Sequence, residues 1–175
     1  MKRTSLIFRL SLICLFSFQF LNLSAQTEEQ KAMAKLSFMI GDWKGEGSSY
    51  PKAENKPYQV LSKVRYDLNG ELLVLRHRST RNDSTVLALH TIMYYDKTDG
   101  FYYYNAYRRS GARPFQCQLK DDQFICEING NYRLTFQRTE NGEFNEFGQR
   151  LVDGEWVKNF EDILQPTSEV IIKDH

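Results

Sequence analysis

The spacing of hydrophobic residues changes once along this chain. Between Thr27 and Ile40 apolar residues recur every three or four positions, which predicts one short amphipathic helix that ends at Gly41. From Trp43 onward apolar and polar residues alternate, and Asn-Gly, Asp-Gly, Asn-Asp and Asp-Asp pairs interrupt the alternation at short intervals. Such pairs accept the positive φ of tight hairpins, and strands that hairpins join are antiparallel. The pattern therefore predicts an all-β fold.

The alternation predicts ten strands. Closing them into an up-and-down barrel would remove the exposed edges that an open antiparallel sheet leaves. We therefore expect a ten-stranded antiparallel barrel with a short N-terminal helix. The predicted strands are Trp43–Tyr50, Tyr58–Leu68, Glu71–Thr80, Thr85–Asp96, Phe101–Arg108, Arg113–Lys120, Gln123–Ile128, Tyr132–Arg138, Glu143–Val152 and Glu155–Leu164.

The start of the chain has the features of an export signal. Basic residues are followed by an apolar run that is too short to span a bilayer comfortably, and Ala25 is a small residue at the expected cleavage site. We expect residues 1–25 to be a signal peptide, 26–166 the barrel domain and 167–175 a flexible tail. The protein would then be periplasmic or secreted; an uncleaved membrane anchor is the alternative.

The net charge gives little reason to expect a charged partner. The formal charge of the whole chain is +1, and removing the three basic residues of the predicted leader gives −2 (1 minus 3). Neither value favours nucleic acid or an acidic lipid surface as a partner. We expect no nucleic acid partner and no stable membrane insertion after cleavage.

Turn lengths predict which side chains share the inner face, because they set the register of each hairpin. A turn at Asn69-Gly70 places Ser62 opposite His77, and a turn at Asn82-Asp83 places His77 opposite Ala88. Buried hydroxyl groups need hydrogen-bond partners, so a polar and aromatic lining favours a cavity that holds water or a ligand. The predicted pocket lining is Ser62, Tyr66, His77, His90, Tyr94, Tyr103, Asn105 and Tyr107.

The same register places several apolar side chains outside the barrel. Leu87, Leu89, Met93 and Tyr104 would face solvent. Either a second subunit covers them, which predicts a homodimer, or the two faces are assigned the wrong way round.

Two cysteines remain after the predicted leader, Cys117 and Cys126. A two-residue turn at Asp121-Asp122 places them directly opposite each other as a close cross-strand pair. In an oxidising compartment they could form a disulfide, and the alternative is two buried thiols.

The segment Phe38–Gly47 resembles the opening of nitrobindin-type barrels, and Gly41-x-Trp43 is similar to the first-strand motif of calycins, which include the lipocalins. It also resembles exported lipocalin-like proteins of bacteria. The resemblance implies a calycin-like barrel in which Trp43 closes one end beneath a basic residue of a late strand. Arg150 or Lys158 would be that residue here, with a cation over the ring.

The resemblance does not extend to haem. Nitrobindin-like proteins hold haem through a histidine near the C-terminal end of the barrel, yet Phe144–Leu164 contains no histidine. A haem would need His77 or His90 as an unrelated ligand. We therefore expect no cofactor.

Three functions compete. The first is binding of a small apolar or amphipathic molecule inside the barrel. The second is an interaction module with a packed barrel, and the third is an enzyme that uses His77 or His90. No catalytic motif is present, and no third ligand at a useful spacing accompanies the two histidines, so we predict neither catalytic residues nor a metal site.

Overall fold

The computed structural model describes residues 26–52 and 56–168. The predicted signal peptide and most of the predicted tail lie outside the described residues. Within the described residues, every helix is too short or too polar to cross a membrane.

A capped helix precedes the strands. Helix α1 covers Glu28–Ala34, and a turn of 3₁₀-helix follows at Ser37–Met39. The backbone N–H of Gln30 donates to Oγ1 of Thr27 at 3.1 Å, and the Gln30 side chain accepts from the N–H of Thr27 at 2.9 Å. This reciprocal pair satisfies two amides at the helix start. The predicted helix is therefore confirmed, although it ends earlier than its apolar pattern suggested.

Ten antiparallel strands form a closed barrel in which each strand pairs with its neighbours in sequence and β1 pairs with β10. The fold prediction is confirmed. The strands are β1 Gly41–Ser49, β2 Tyr58–Asp67, β3 Leu72–Arg81, β4 Ser84–Asp96, β5 Phe101–Arg108, β6 Gly111–Lys120, β7 Gln123–Asn129, β8 Tyr132–Arg138, β9 Phe144–Val152 and β10 Glu155–Pro166.

Helix α1 and the turn after it close one end of the barrel. Met33, Leu36 and Met39 are fully buried there, because they pack into the core that the strands enclose. The phenol O–H of Tyr102 donates to the carbonyl oxygen of Ala32 at 3.0 Å, which ties β5 to the helix. Apolar burial of this kind supplies most of the stability of so short a helix.

Trp43 lies inside the barrel directly beneath helix α1 and the 3₁₀ turn, which together plug this end. Its indole N–H donates to the carbonyl oxygen of Met39 at 2.8 Å, and its ring lies 5.4 Å from that of Phe144. The Arg138 guanidinium lies 5.0 Å from the ring centroid. A basic residue of a late strand therefore contacts Trp43, as the resemblance implied.

The basic residue is not one of the two predicted. Arg150 lies over Tyr132, and Lys158 lies over Phe147. Both cations sit at the far end of their strands from the helix, whereas Arg138 ends β8 beside the helix. A cation reaches Trp43 only if it lies at the helix end of its strand, so a position on a late strand is not sufficient.

The predicted register holds between β2 and β3 and then fails. Ser62 is opposite His77 as predicted, but His77 is opposite Leu89 rather than Ala88. The cause is a β-bulge, because Val86 is an extra residue on β4 between two paired positions. One extra residue exchanges the inner and outer faces of the later β4 positions and of β5, which pairs with them.

The exchange reverses the assignment for β4 and β5. Met93 and Tyr104 are buried inside the barrel, and Leu87 and Leu89 line its interior space. The apolar outer stripe that suggested a homodimer is therefore the inner wall.

Cys117 is paired with Cys126 in the ladder between β6 and β7. The two form a disulfide, and both are almost completely buried.

Replacing both cysteines by alanine should lower the free energy of unfolding by about 2–3 kcal/mol, because the disulfide restricts a loop of roughly ten residues in the unfolded chain. Urea denaturation of the protein measures this. Counting thiols on denatured, unreduced wild type gives the control, and two free thiols would contradict the disulfide.

Arg138→Ala should lower the free energy of unfolding by about 0.5–1 kcal/mol through loss of the contact with the indole. In a Trp156→Phe background Trp43 is the one remaining tryptophan, so its emission under tryptophan-selective excitation should also shift. Arg150→Ala, which touches a different ring, should leave that emission unchanged. Equal emission changes in both variants would refute the assignment of Arg138.

Candidate functional site

The barrel is open at the end opposite helix α1. A cavity of about 850 Å³ lies there between the ends of β1, β3 and β9 and the starts of β2, β4 and β10. A second cavity of about 1110 Å³ extends from it toward β5, β6, β7 and β8. The two cavities share Leu87, Glu146, Arg150, Val152 and Phe160. They adjoin, and Glu146 lies where they meet.

His77 lies on the wall of the first cavity and is only 4% exposed. Its Nδ1 lies 3.1 Å from Oγ of Ser62, and its Nε2 lies 2.7 Å from Oγ of Ser79. Ser62 is its cross-strand partner on β2, and Ser79 is two residues away on the same face of β3. Alternation along regular strands therefore places a hydroxyl beside each ring nitrogen.

Glu146 and Asp162 are directly paired between β9 and β10. They are 6% and 2% exposed. A second bulge causes this pairing, because Asn159 is an extra residue on β10 between Lys158 and Phe160. The bulge turns Asp162 inward beside Glu146.

Tyr58 holds Asp162 from the far side of β1. Its phenol O–H donates to Oδ1 of Asp162 at 2.8 Å. Gly47 lies between them in the ladder, where a β-carbon would approach the Tyr58 ring to 2.1 Å and Oδ1 of Asp162 to 2.2 Å. A glycine is required here, since any larger residue would separate the two side chains.

His77, Glu146 and Asp162 meet in one buried cluster. One ligand-type atom from each residue lies within 4.8 Å of the other two. Nδ1 of His77 is 4.0 Å from Oε2 of Glu146. We call these three residues the acid–histidine cluster.

Burial controls the charge of this cluster. Burial lowers the pKa of His77 to about 4, so its imidazole is neutral near pH 7 and its contact with Glu146 is not an ion pair. Burial raises the pKa of Asp162 to about 7, against the opposing hydrogen bond from Tyr58. Burial and the neighbouring Asp162 charge also raise the pKa of Glu146. The pair therefore tends to retain a proton.

Only two of the predicted lining residues belong to this site. Ser62 and His77 face the interior. Tyr66 has the predicted register, but it lies near the helix end of β2 and is 41% exposed, away from both cavities. The other five face outward because of the bulge at Val86. They are His90, Tyr94, Tyr103, Asn105 and Tyr107.

These outward residues form cross-strand pairs. The rings of Tyr94 and Tyr103 stack at 5.2 Å, and those of His90 and Tyr107 meet edge to face at 6.4 Å. The amide of Asn105 donates to a backbone carbonyl at 3.4 Å. Such pairs stabilise the sheet without a ligand.

Glu146 and Asp162 are not among the predicted site residues. A two-residue turn at Asp153-Gly154 followed by regular pairing would match Phe147 with Phe160 and leave Glu146 on the other face. The available signal was the glycine at position 148, two residues after Glu146, since an isolated glycine inside a strand pattern often marks close approach or a bulge.

The fold and site together define a closed ten-stranded antiparallel barrel with one plugged end and an acidic, histidine-containing pocket at the other. Neither a family model nor a curated protein matches this chain. Among solved structures, the chain is similar to the crystal structure of Rv2717c from M. tuberculosis, with a TM-score of 0.53 and 14% sequence identity. The match covers 78% of this chain and 97% of that chain. At this identity the likeness shows the barrel fold alone, and the resemblance to calycins stays a prediction.

The raised pKa of Asp162 predicts a specific pH dependence. Between about pH 4 and 7 the folded protein keeps a proton that the unfolded chain releases, so this group makes the protein less stable as the pH rises. His77 has the opposite effect between about pH 4 and 6.5, because its folded pKa is lowered.

Asp162→Asn should therefore gain stability relative to wild type as the pH rises from 5 to 7, by up to about 1.4 kcal/mol per pH unit. His77→Gln should instead lose stability relative to wild type as the pH rises through this range. Urea denaturation at each pH measures both. Parallel profiles for wild type and Asp162→Asn would show that Asp162 titrates normally.

Proposed function

We propose that this chain is an exported, lipocalin-like protein that binds a small, partly apolar molecule in the open end of its barrel. The observation that carries the proposal is the pair of adjoining cavities with the Glu146 carboxylate at their junction. Ligand sites are usually concave and apolar, with a few polar groups that converge on one point.

The walls suit an apolar ligand body. Val86, Leu87, Val157 and Phe160 line the first cavity. The second has a similar apolar wall. It includes Leu89, Ala106, Phe115, Ile128, Leu134 and Leu151. The combined space is large enough for a molecule of the size of a fatty acid or a sterol.

The polar groups suit a hydrogen-bond donor on the ligand. The Glu146 carboxylate borders both cavities and is nearly buried, so it has few contacts with water that a bound ligand would displace. Leaving such a group without a partner costs free energy. A hydroxyl or amine on an otherwise apolar molecule would satisfy it.

The interaction-module alternative rested on an apolar outer stripe. Because Leu87, Leu89, Met93 and Tyr104 belong to the inner wall, that argument for a homodimer no longer applies. The haem and enzyme alternatives lose His90 for the same reason, since His90 faces outward.

Native mass spectrometry of the protein purified from the exported fraction tests the proposal directly. We expect a chain cleaved after Ala25 that carries a co-purified small molecule, or whose melting temperature rises with a member of a panel of fatty acids, sterols, phenolics and haem. Leu87→Trp should weaken that binding at least about tenfold, equivalent to about 1.4 kcal/mol, because the indole occupies the shared wall.

Ala88→Trp is the matched control. Ala88 is the exposed neighbour of Leu87 and points away from both cavities, so this variant should bind as wild type does. Equal affinity in Leu87→Trp, or a wild-type protein that carries nothing and responds to no compound, would refute ligand binding in the barrel.

A further inference from the structure

We propose that His77, Glu146 and Asp162 bind a divalent first-row transition-metal ion, with one coordination position open to the cavity. The inference goes beyond the proposed function and does not depend on it. It assigns an inorganic ligand to the acid–histidine cluster, whichever organic molecule the cavity accepts.

The spacing of the three donor atoms fits one cation after a small closure. Three atoms that lie within 4.8 Å of one another fit around a point roughly 2.8 Å from each at most. Bonds from zinc to histidine nitrogen and carboxylate oxygen are about 2.0–2.2 Å. Each atom would therefore move by at most about 0.8 Å, which small rotations of the three side chains supply.

The cluster lacks a neutralising partner. Within residues 26–52 and 56–168, the Glu146 carboxylate accepts no hydrogen bond, and its contact with His77 is at 4.0 Å. Within the same described residues the Asp162 carboxylate accepts one hydrogen bond, from Tyr58. Two adjacent buried carboxylates are costly unless protons or a cation neutralise them, and a divalent cation satisfies both at once.

His77 is held in an orientation suited to a metal. Nε2 can donate its hydrogen to Oγ of Ser79 at 2.7 Å, which leaves the lone pair on Nδ1, the nitrogen near Glu146. Metal-binding histidines commonly donate their other N–H in this way. The hydroxyl of Ser62, now 3.1 Å from Nδ1, would yield its place to the cation.

The donor set selects a class of metal. One imidazole with two carboxylates suits zinc or another first-row divalent ion better than calcium or magnesium, which prefer oxygen donors alone. Three protein donors beside a cavity leave a position for water or a ligand group.

Protons compete with the metal, and several groups around the cluster influence that competition. Asp162 has Tyr58 beside it from β2, while Tyr104 faces Glu146 from β5. Arg150 and Lys158 line the same cavity, and Lys158 is paired with Glu161. A cation that binds displaces any proton that the carboxylates hold, so metal affinity should fall as the pH is lowered.

The test is calorimetric titration of the untagged, chelator-stripped mature protein with ZnCl₂ alone. We expect one zinc ion per chain at pH 7.5, weaker binding at pH 6, and much weaker binding of Ca²⁺ and Mg²⁺. Glu146→Gln, Asp162→Asn and His77→Gln should each lower the affinity at least about tenfold. Zinc should raise the melting temperature of wild type but not of these variants.

Two controls separate this site from adventitious binding. Glu161→Gln removes a carboxylate adjacent to Asp162 that faces the other side of β10 and pairs with Lys158. His175→Ala removes the histidine of the C-terminal tail. Both should bind zinc as wild type does. No stoichiometric zinc, or zinc binding that survives all three cluster substitutions, would overturn the proposal, and so would loss of binding in either control.

Folding of the variants is followed by circular dichroism. If one cluster variant does not fold, the other two decide the result. Repeating the organic-ligand screen in EDTA separates the two proposals: binding in EDTA supports the cavity function even if zinc fails, and zinc binding by a protein that takes no organic compound supports the metal site alone.

Discussion

Strict alternation of side chains along a closed ladder is the constraint on which this structure depends. In a barrel every strand has one inner and one outer face, and the faces are fixed by a count of residues from each hairpin. Val86 and Asn159 each add one residue to that count. The first turns Leu87 and Leu89 inward, and the second turns Asp162 inward. Both bulged residues border the same cavity, which is where bulges are often found.

The two ends of the barrel serve different purposes because they are filled differently. At the helix end a continuous set of rings fills the interior, from Trp43 through Phe144 and Phe136 to Tyr104. Below Tyr104 the wall is interrupted where Gly47 and Gly148 lie on neighbouring sides of β10. Space that no side chain fills is left open there, and the buried acids face it. A rigid, plugged half therefore supports an open half that can carry a site.

The acid–histidine cluster illustrates how burial makes chemistry available. Each member would be ordinary on the surface, but burial neutralises His77 and raises the pKa of both carboxyls. The cluster can be neutral when protonated, or it can exchange its protons for a cation. An organic ligand that enters the cavity would meet whichever of these states the pH and the available metal favour.

Local patterns in the sequence determined the elements. Alternation, Asn-Gly and Asp-Gly turns and the helical spacing of apolar residues after Thr27 predict ten antiparallel strands and a helix, and the Asp121-Asp122 turn places Cys117 opposite Cys126. They do so because hairpin chemistry and side-chain periodicity act over a few residues. The site was decided only by tertiary structure. Gly47, His77, Glu146 and Asp162 come from four strands, and the bulges at Val86 and Asn159 set which way the wall and Asp162 point; only Gly148, beside the second bulge, is a local signal for either. Only closure of the barrel brings those faces together, because the pairing of β1 with β10 joins residues from opposite ends of the chain.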